Sequence, residues 1–557
     1  MENRGLRLEL TWPNKDRFLL VPKDDEGKPV WVDPDHPAAA EVRLSDFTDA
    51  IGEVDTTNPY ADNVLFTGDS LDVLRILAEV PEYAREYRGK VNLAYIDPPF
   101  NTGQTFTHYD DWMEHSTWLS FMRDRLLLIK ELLAPDGSLW LHLDNFEIHR
   151  MRCLLDEVFG ADNYLNTVVW KRTGAKAAAR RGMGTMYDNI LVYGRSEASR
   201  LNAVLIPYTD DYIKSKYNNE DERGRYQTVS LLAPGIRSGD SGQPWMGIDP
   251  GSRRRHWAAP KVEGFMTESW PSMTTRQRLD ALLEAGYIHV STKEDSVPRQ
   301  KRYLSEAGGV SLGDFWNDIN VLNSQGHERV GYDTQKPEAL LQRVIEMSTK
   351  EGDIVLDCFG GSGTTASAAH KMSRRWVTCD ILPATVEGYT RPRLEKVVAG
   401  DSSGITTDTG WTGGGGFRAV DVSPSMYEVT PFGVLLADWA TNGRFARAVA
   451  GQLGFNWQSE GLFCGVRGRM RLAVFDGAIG AEEVRQTIAA LGDKERVTIV
   501  AKAVLPGAEE TLRELSTGSR IRKAPRDLLS AGAKRARRRV EAAERSVQVQ
   551  IPEGSDQ

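Results

Sequence analysis

The stretch "IVLDCFGGSGTT", residues 354–365, combines an apolar strand, a glycine-rich turn and the start of a helix of small residues. The strand ends on Asp357, and Gly360, Gly361 and Gly363 let the backbone of the turn approach a ligand closely. Free N–H groups at the start of the helix suit an anionic or polar headgroup. The turn lacks the lysine of a Walker A loop, and its F-x-G-x-G spacing departs from the dinucleotide G-x-G-x-x-G.

The next strand along the chain, "WVTCDI" at residues 376–381, also ends near an acid. Asp380 follows Asp357 by 23 residues (380 − 357). An acid about 20 residues beyond such a loop, at the tip of the next strand, can accept hydrogen bonds from ribose hydroxyls. We therefore interpret the pair as a nucleoside-type cofactor site, while a plain strand-to-helix turn stays the alternative for the glycines alone.

A second unusual strand end is "LAYIDPPFNTG", residues 93–103, in which Asp97 precedes two prolines and an aromatic residue. Pro98 and Pro99 have fixed φ angles and donate no backbone hydrogen bond, so their carbonyls point in set directions. An acid and a fixed carbonyl supply two acceptors, which suits an exocyclic amino group with two N–H donors. Phe100 adds a flat face on which a base can stack. A surface turn is the alternative interpretation of this tripeptide in isolation.

The rest of the chain alternates strands and helices around these two motifs. This alternation predicts an α/β fold with a doubly wound, mostly parallel sheet, and 557 residues exceed what one core usually supports. The predicted divisions are an N-terminal arm (1–60), the catalytic half of the sheet domain (61–195), an insertion (196–325), the cofactor-binding half (326–400), a linker (401–427) and a small C-terminal α/β domain with a basic tail (428–557).

Composition limits the classes of protein that the chain can belong to. With 40% hydrophobic and 26% charged residues and a net charge of −9, it is an ordinary soluble chain and not a wholly basic coat protein, although a local basic groove stays possible. No apolar run is long enough to cross a bilayer, so we expect a cytoplasmic protein without a membrane partner. The four cysteines lack CxxC spacing, which favours reduced thiols.

Together the two motifs resemble those of the amino-methylating DNA methyltransferases, which use S-adenosylmethionine. The D-P-P-F motif precedes the F-x-G-x-G motif by 260 residues (357 − 97), which resembles the β-class order of that permuted, Rossmann-like fold. Further strings such as "VLFTGDSLDVL" and "GYDTQKPEALLQRVI" resemble the modification subunits of type III restriction–modification systems and their stand-alone relatives. The resemblance covers residues 60–400 and a similar small C-terminal domain.

The resemblance implies roles for individual residues. Asp97 and the Pro98 carbonyl would hold the adenine amino group next to Pro99, and Phe100, where the family usually has tyrosine, would stack on the base. Asp357 would anchor its strand end and Asp380 would bind the ribose. The implied cofactor-binding residues are Asp69, Thr334, Lys336, Pro337, Asp357, Phe359, Gly360, Gly361, Gly363 and Asp380.

Basic clusters beside aromatic residues indicate where DNA would bind. The candidates are Lys171, Arg172, Arg180, Arg181, Arg253, Arg254, Arg255, Trp257, Arg299 and Arg302. Solvated surface loops are the alternative. We expect residues 196–325 to be the main target-recognition region. No metal is expected, because the spacing of "HLDNFEIH" (142–149) matches no recognised ligand set.

These observations favour an S-adenosylmethionine-dependent adenine-N6 DNA methyltransferase acting in restriction–modification or phage defence. Double-stranded DNA is the expected substrate, and a restriction, helicase or other defence subunit and a second copy of the chain are possible partners. Cytosine-N4 methylation is the nearest alternative, because the same motif chemistry serves it, and a DNA-binding specificity subunit is a further one. An NAD-linked oxidoreductase is disfavoured, because no hydride-transfer constellation accompanies the loop.

Overall fold

The structure is a computed structural model of the whole chain. It describes residues 9–21, 29–33, 36, 39, 41–101, 113–173, 183–262, 269–293, 296–323, 326–430 and 433–530.

The strands alternate with helices along most of the chain. The strands are β1 (Phe18–Val21), β2 (Val30–Val32), β3 (Ser45–Gly52), β4 (Asn63–Thr67), β5 (Val91–Ile96), β6 (Leu133–Leu143), β7 (Tyr164–Lys171), β8 (Tyr187–Gly194), β9 (Leu205–Ile206), β10 (Asn219–Asp221), β11 (Gly224–Ser230), β12 (Leu232–Pro234), β13 (Arg255–Trp257), β14 (Ile288–His289), β15 (Arg299–Tyr303), β16 (Val310–Ser311), β17 (Phe315–Trp316), β18 (Ile354–Asp357), β19 (Arg375–Asp380), β20 (Gly416–Val422), β21 (Tyr427–Thr430), β22 (Gly433–Leu436), β23 (Asn456–Glu460), β24 (Phe463–Arg467), β25 (Met470–Ile479), β26 (Arg496–Val504) and β27 (Arg520–Lys523). The helices are α1 (Ser70–Glu79), α2 (Pro81–Tyr87), α3 (His115–Leu132), α4 (Ile148–Phe159), α5 (Asp210–Lys216), α6 (Thr275–Glu284), α7 (Glu338–Ser348), α8 (Thr364–Lys371), α9 (Pro383–Thr385), α10 (Arg391–Val398), α11 (Thr406–Thr409), α12 (Asn442–Leu453), α13 (Ala481–Ala489) and α14 (Ala508–Leu515).

One ten-stranded sheet organises the larger compact unit, which comprises residues 1–202 and 313–557. Its strand order is β17-β7-β8-β6-β5-β18-β19-β4-β20-β3. The six strands from β6 to β20 in this order are mutually parallel, and antiparallel pairs occur on either side of them. The predicted doubly wound, mostly parallel α/β sheet is therefore confirmed.

Helices cover both faces of the central strands. Helix α3 packs against α1 and α4, over a core that includes Ile354 and Leu356 of β18. The intervening Val355 is fully buried on the other face, because side chains alternate along a strand, and α7 on that side packs against β5 and β6. Burial on both faces explains why these strands are apolar throughout.

The segments predicted as arm and linker contribute two strands to this sheet. Strand β20, inside the predicted linker 401–427, pairs with β4 and with the edge strand β3 from the predicted arm. A Cβ on Gly416 would lie 2.4 Å from the Ile51 carbonyl oxygen, so this glycine permits close strand packing. The linker prediction was wrong here, because glycines that serve close approach have the same composition as glycines that serve flexibility.

Residues 203–312 form a second compact unit. Its sheet has the order β10-β11-β15-β14, and β12–β13 and β9–β16 are two-stranded ladders. Trp245, Trp257 and Trp270 pack with leucines of α6 in its core. This unit lies within the interval 196–325 that the sequence indicated as an insertion.

The C-terminal part of the chain contains a five-stranded sheet in the order β23-β24-β25-β26-β27. Strands β25, β26 and β27 are parallel, with α12 packed on one core and residues of α13 and α14 in another. The basic tail (531–557) lies outside the described residues. All four cysteines are free, and in the described part of the chain no helix has the length and apolarity that a membrane crossing requires.

A buried ionic network holds α7, α8 and α10 together. Glu338 accepts hydrogen bonds from Lys371 Nζ (3.0 Å) and Arg393 (2.9 Å), and the Ser367 hydroxyl also donates to it. The side chains of Glu338 and Lys371 are 0% exposed. Burial opposes ionisation of Glu338, but Arg393 and Lys371 outweigh it and hold the pKa of this carboxyl below its usual value.

We expect Glu338→Ala to lower the free energy of unfolding by about 3–5 kcal/mol, because two buried cations would lose their shared carboxylate. Lys371 would keep only its pair with Asp401 (3.3 Å), and Arg393 its pair with Glu328 (3.4 Å). Denaturant unfolding measures this change, and Glu351→Ala at an exposed carboxylate is the control. A loss equal to that of the control would contradict the role of the network.

Candidate active site

A cavity of about 640 Å³ opens at the carboxyl ends of four neighbouring parallel strands, β5, β18, β19 and β4. Each of these strands ends at or within two residues of an acid that lines the cavity, namely Asp97, Asp357, Asp380 and Asp69 respectively. Ligands of open α/β sheets bind at this edge. The predicted catalytic and cofactor-binding residues that line the cavity are Asp69, Asp97, Pro98, Pro99, Phe100, Thr334, Lys336, Asp357, Phe359, Gly360, Gly361 and Asp380.

The glycine loop approaches the sheet closely. A Cβ on Gly360 would lie 2.3 Å from Thr378 Oγ1, and Gly361 has a φ of +47° beside the Tyr332 ring. Gly363, with a φ of +74°, precedes α8 as its N-cap. Gly363 and Pro337 are not lining residues; Pro337 is the N-cap of α7. The glycines therefore let the loop pack closely on the sheet and on Tyr332 at the edge of the cavity.

The two acids of the cofactor motif have different environments. Asp380 accepts hydrogen bonds from the backbone N–H groups of Gly361 (3.1 Å) and Leu382 (2.9 Å). Asp357 is buried, and it accepts from the Thr365 hydroxyl (2.5 Å) and the Phe359 N–H (2.9 Å). Burial raises the pKa of Asp357 to about 7. The hydrogen bonds of Asp357 thus come from residues of its own strand–turn–helix unit. Burial also raises the pKa of Asp380.

Asp97 is the acid of the D-P-P-F motif, and Lys336 Nζ forms an ion pair with its Oδ2. Asp97 Oδ1 is buried and has no hydrogen-bond partner among the described residues. The Pro99 carbonyl accepts from Trp118 Nε1 at 2.9 Å, which fixes the proline turn against α3. Among the described residues, Oδ1 is therefore an acceptor without a donor on a residue that lines the cavity.

Phe100 lies close to two other side chains, His142 and Lys336. Its ring stacks on His142, with centroids 5.9 Å apart and planes at 28°, and Lys336 Nζ lies 5.2 Å from the ring centroid. His142 is buried and pairs with the Tyr95 hydroxyl (2.8 Å) and Asp188 (3.2 Å). The sequence did not indicate that Tyr95 and Asp188 hold His142, because only the register of the sheet brings them beside it.

The predicted adenosine contact, Asp69, is already engaged by the protein. It caps α1 by accepting from the Leu71 N–H (2.8 Å), and both its oxygens accept from Arg125 (3.0 and 2.9 Å). Arg125 also lies over the Phe121 ring, 3.5 Å from its centroid. The sequence did not reveal Arg125 as the partner of Asp69, because nothing in its own helix indicates this contact.

The "HLDNFEIH" stretch does not assemble ligands. Glu147 accepts from Asn101 Nδ2 (2.8 Å) and pairs with His115 (2.5 Å), whereas His142 lies beside Phe100. Across the described residues, no group of three His, Cys, Asp or Glu side chains could hold a metal ion.

The predicted DNA-binding residues are distributed over both compact units. Lys171 is exposed at the end of β7, and Arg172 pairs with Asp188 at 3.3 Å and lines the cavity. Arg180 and Arg181 lie outside the described residues. In the unit 203–312, the arginines at 253, 254, 255, 299 and 302 are exposed.

Trp257 departs from the sequence expectation that its ring is available to DNA. It is 2% exposed and packs edge-on against Trp245, with centroids 5.3 Å apart. A base could stack on this ring only if the core of the unit opened. Its role as a stacking platform was therefore wrong, because the tryptophans of this unit supply its core.

Comparison with known proteins fits this geometry. The family model described as DNA methylase matches residues 91–391, from strand β5 to the start of α10. The chain belongs to this family.

Two individual proteins are similar to this chain over more than half of its length. The type II methyltransferase M.EcaI of Enterobacter cloacae is 30% identical over 52% of this chain and 62% of its own length. The Salmonella typhimurium type III restriction-modification enzyme StyLTI Mod subunit is 26% identical over 61% of this chain and 58% of its own. The chain thus spans about three fifths of these relatives. A solved structure, the PvuII DNA methyltransferase (cytosine-N4-specific), is 12% identical over 65% of this chain and 95% of its own, with a TM-score of 0.34.

We expect the charge of Asp357 to make folding stability depend on pH. Its folded-state pKa of about 7 lies above the unfolded value of 3.8, so its stability contribution is complete below pH 3.8 and is lost as the pH rises through 7. Asp357→Asn, which cannot ionise, should gain about 3 kcal/mol of stability relative to the natural chain as the pH rises from 5 to 8.

Denaturant unfolding at several pH values tests this, with Asp136→Asn at an exposed carboxylate as the control. A difference between Asp357→Asn and the natural chain that is the same at pH 5 and pH 8 would contradict the assignment.

Proposed function

We propose that this chain is a DNA methyltransferase that transfers a methyl group from S-adenosylmethionine to the N6 amino group of adenine. The observation that carries this proposal is the buried Oδ1 of Asp97, which has no hydrogen-bond partner among the described residues and whose residue lines one cavity with Phe100 and the glycine loop. Membership of the DNA methylase family supports the reaction class. Oδ1 of Asp97 has no donor among the described residues, and an amino group is a donor of matching kind.

The residues of the cavity fit S-adenosylmethionine. Gly360 packs so closely on the sheet that even a methyl group would overlap Thr378, and Gly361 and Gly363 have backbone conformations that favour glycine. Asp380 lines the cavity at the end of the next strand, where a ribose would meet an acceptor. When bound, S-adenosylmethionine supplies an electrophilic methyl group on a sulfonium sulfur.

The residues of the D-P-P-F motif would prepare the target nitrogen. Asp97 Oδ1 and the Pro98 carbonyl accept the two amino hydrogens, which directs the nitrogen lone pair towards the methyl group, and Phe100 holds the plane of the base by stacking. As the nitrogen–carbon bond forms and the sulfur–carbon bond breaks, one amino proton leaves through Asp97 to solvent. Most of the rate enhancement would come from positioning and electrostatics, and no covalent enzyme intermediate is needed.

The base has to leave the duplex to reach Asp97, because the cavity is walled by protein. Asp97 and Lys336 are only 18% and 12% exposed at their side chains. Enzymes that modify a base inside a duplex extrude it into such a pocket. We propose double-stranded DNA as the substrate, with the exposed arginines of residues 203–312 among its phosphate contacts.

Restriction–modification is the proposed setting, with a restriction or helicase subunit as a partner. It is supported by the similarity to a protein named as a type III Mod subunit. Adenine is favoured over cytosine by the aspartate at position 97, through the resemblance of the D-P-P-F motif.

Labelled S-adenosylmethionine and unmethylated DNA test the reaction directly. We expect label in N6-methyladenine after digestion to nucleosides, and a loss of about 100- to 1,000-fold in transfer rate for Asp97→Asn, because one acceptor becomes a donor. Asp136→Asn is the matched control. Label in N4-methylcytosine would contradict the adenine assignment, and no label in any DNA would contradict the enzyme.

The glycine loop gives a separate prediction about cofactor affinity. Gly360→Ala should weaken S-adenosylmethionine binding by at least about tenfold, because its Cβ would overlap Thr378 and displace the loop. Calorimetric titration measures the Kd, and Gly388→Ala is the control, since its Cβ would meet open space. Equal affinities of the two variants would argue against the loop as the cofactor cradle.

A further inference from the structure

We propose that Lys336 is the positioning residue of the catalytic acid: its ammonium group holds Asp97 Oδ2, so that Oδ1 is presented to the target amino group. This role deepens the proposed function and rests on it. The resemblance to the methyltransferase family indicated instead that Lys336 is a cofactor contact, as a member of the "TQKP" segment.

The side chain of Lys336 is directed at the D-P-P-F motif. Its Nζ forms an ion pair with Asp97 Oδ2 and lies 5.2 Å from the Phe100 ring centroid. Both charged side chains are largely shielded from solvent, at 12% and 18% exposed, so the pair is weakly screened. One cation thus touches the proposed acceptor of the amino group and the proposed stacking ring.

The main chain of Lys336 is fixed independently of its side chain. Its carbonyl accepts from Thr364 Oγ1 (3.2 Å), and that oxygen accepts from Arg393 (2.8 Å), a member of the buried network around Glu338. Thr364 is the first residue of α8, directly after the glycine loop. Lys336 therefore connects the glycine loop to the catalytic acid, across 239 residues of sequence.

A free aspartate in this position would be poorly oriented. The carboxyl can rotate about its side-chain bonds, and it lies in the field of two further acids. Burial foremost, and then the charges of Asp97 and Asp380, raise the pKa of Asp357, and the three residues line the same cavity. A cation on Oδ2 offsets this repulsion and fixes the rotation, leaving Oδ1 as the oxygen for substrate.

Two substitutions separate the charge of Lys336 from its bulk. Lys336→Met removes the charge at similar length, and Lys336→Arg retains it. Lys396→Met, at an exposed lysine of α10, is the matched control. The measurements are the single-turnover rate of methyl transfer to unmethylated DNA at saturating S-adenosylmethionine, and the Kd of S-adenosylhomocysteine by calorimetry.

We expect Lys336→Met to reduce the single-turnover rate about 100-fold, as for a misplaced catalytic group, and to change the Kd by less than about threefold. Lys336→Arg should recover part of the rate, and Lys396→Met should match the natural chain. If Lys336→Met raises the Kd of S-adenosylhomocysteine and its transfer rate recovers at saturating S-adenosylmethionine, Lys336 is a cofactor ligand and the proposal is overturned. An unchanged rate, or equal losses for Met and Arg, would also overturn it.

A stability cycle tests the same pair without turnover. If Lys336 acts on Asp97, the double variant Asp97→Asn/Lys336→Met should melt no lower than Lys336→Met alone, because the unbalanced carboxylate is gone. Melting-temperature losses that simply add would overturn the proposal. If the natural chain transfers no methyl group while the melting temperatures still show that Lys336 and Asp97 are coupled, the proposed function is overturned. The ion pair is then a structural contact only, and the positioning role is overturned as well.

Discussion

The parallel pairing of β5 with β18 is the constraint on which the site depends. In this register Leu356 lies opposite Ala94, so the strands run side by side to their carboxyl ends. Asp97 and the glycine loop after Asp357 consequently line one cavity, although 260 residues separate the two acids (357 − 97). No local feature of either loop could create this proximity, because each loop only shapes the end of its own strand.

Four acids at one sheet edge repel one another electrostatically, and this repulsion is offset in a different way at each strand. Asp69 is neutralised by Arg125, and Asp97 by Lys336. Asp380 is held by two backbone N–H groups. Asp357 has a pKa raised to about 7 by burial, so it is partly protonated near neutral pH. Only Asp97 retains a buried carboxylate oxygen without a donor among the described residues of this set, which distinguishes it as the acceptor for substrate.

The features that could be predicted from the sequence are those encoded in short strand–turn units. The glycine loop, Asp97 and Asp380 each sit at the end of an apolar strand, and a parallel sheet brings such ends together. The partner of Lys336 could not be predicted, because that ion pair depends on tertiary packing. Trp257 was misassigned for a related reason: an aromatic residue beside arginines looks the same in sequence whether its ring is a stacking surface or core.

A structure of the chain with S-adenosylhomocysteine and duplex DNA carrying its target site tests the central claim most directly. The account predicts an extruded base whose exocyclic nitrogen lies about 3 Å from Asp97 Oδ1, with its ring stacked on Phe100 and Lys336 still paired with Oδ2. A base that contacts neither Asp97 nor Phe100, with the nucleoside bound away from the glycine loop, would contradict it.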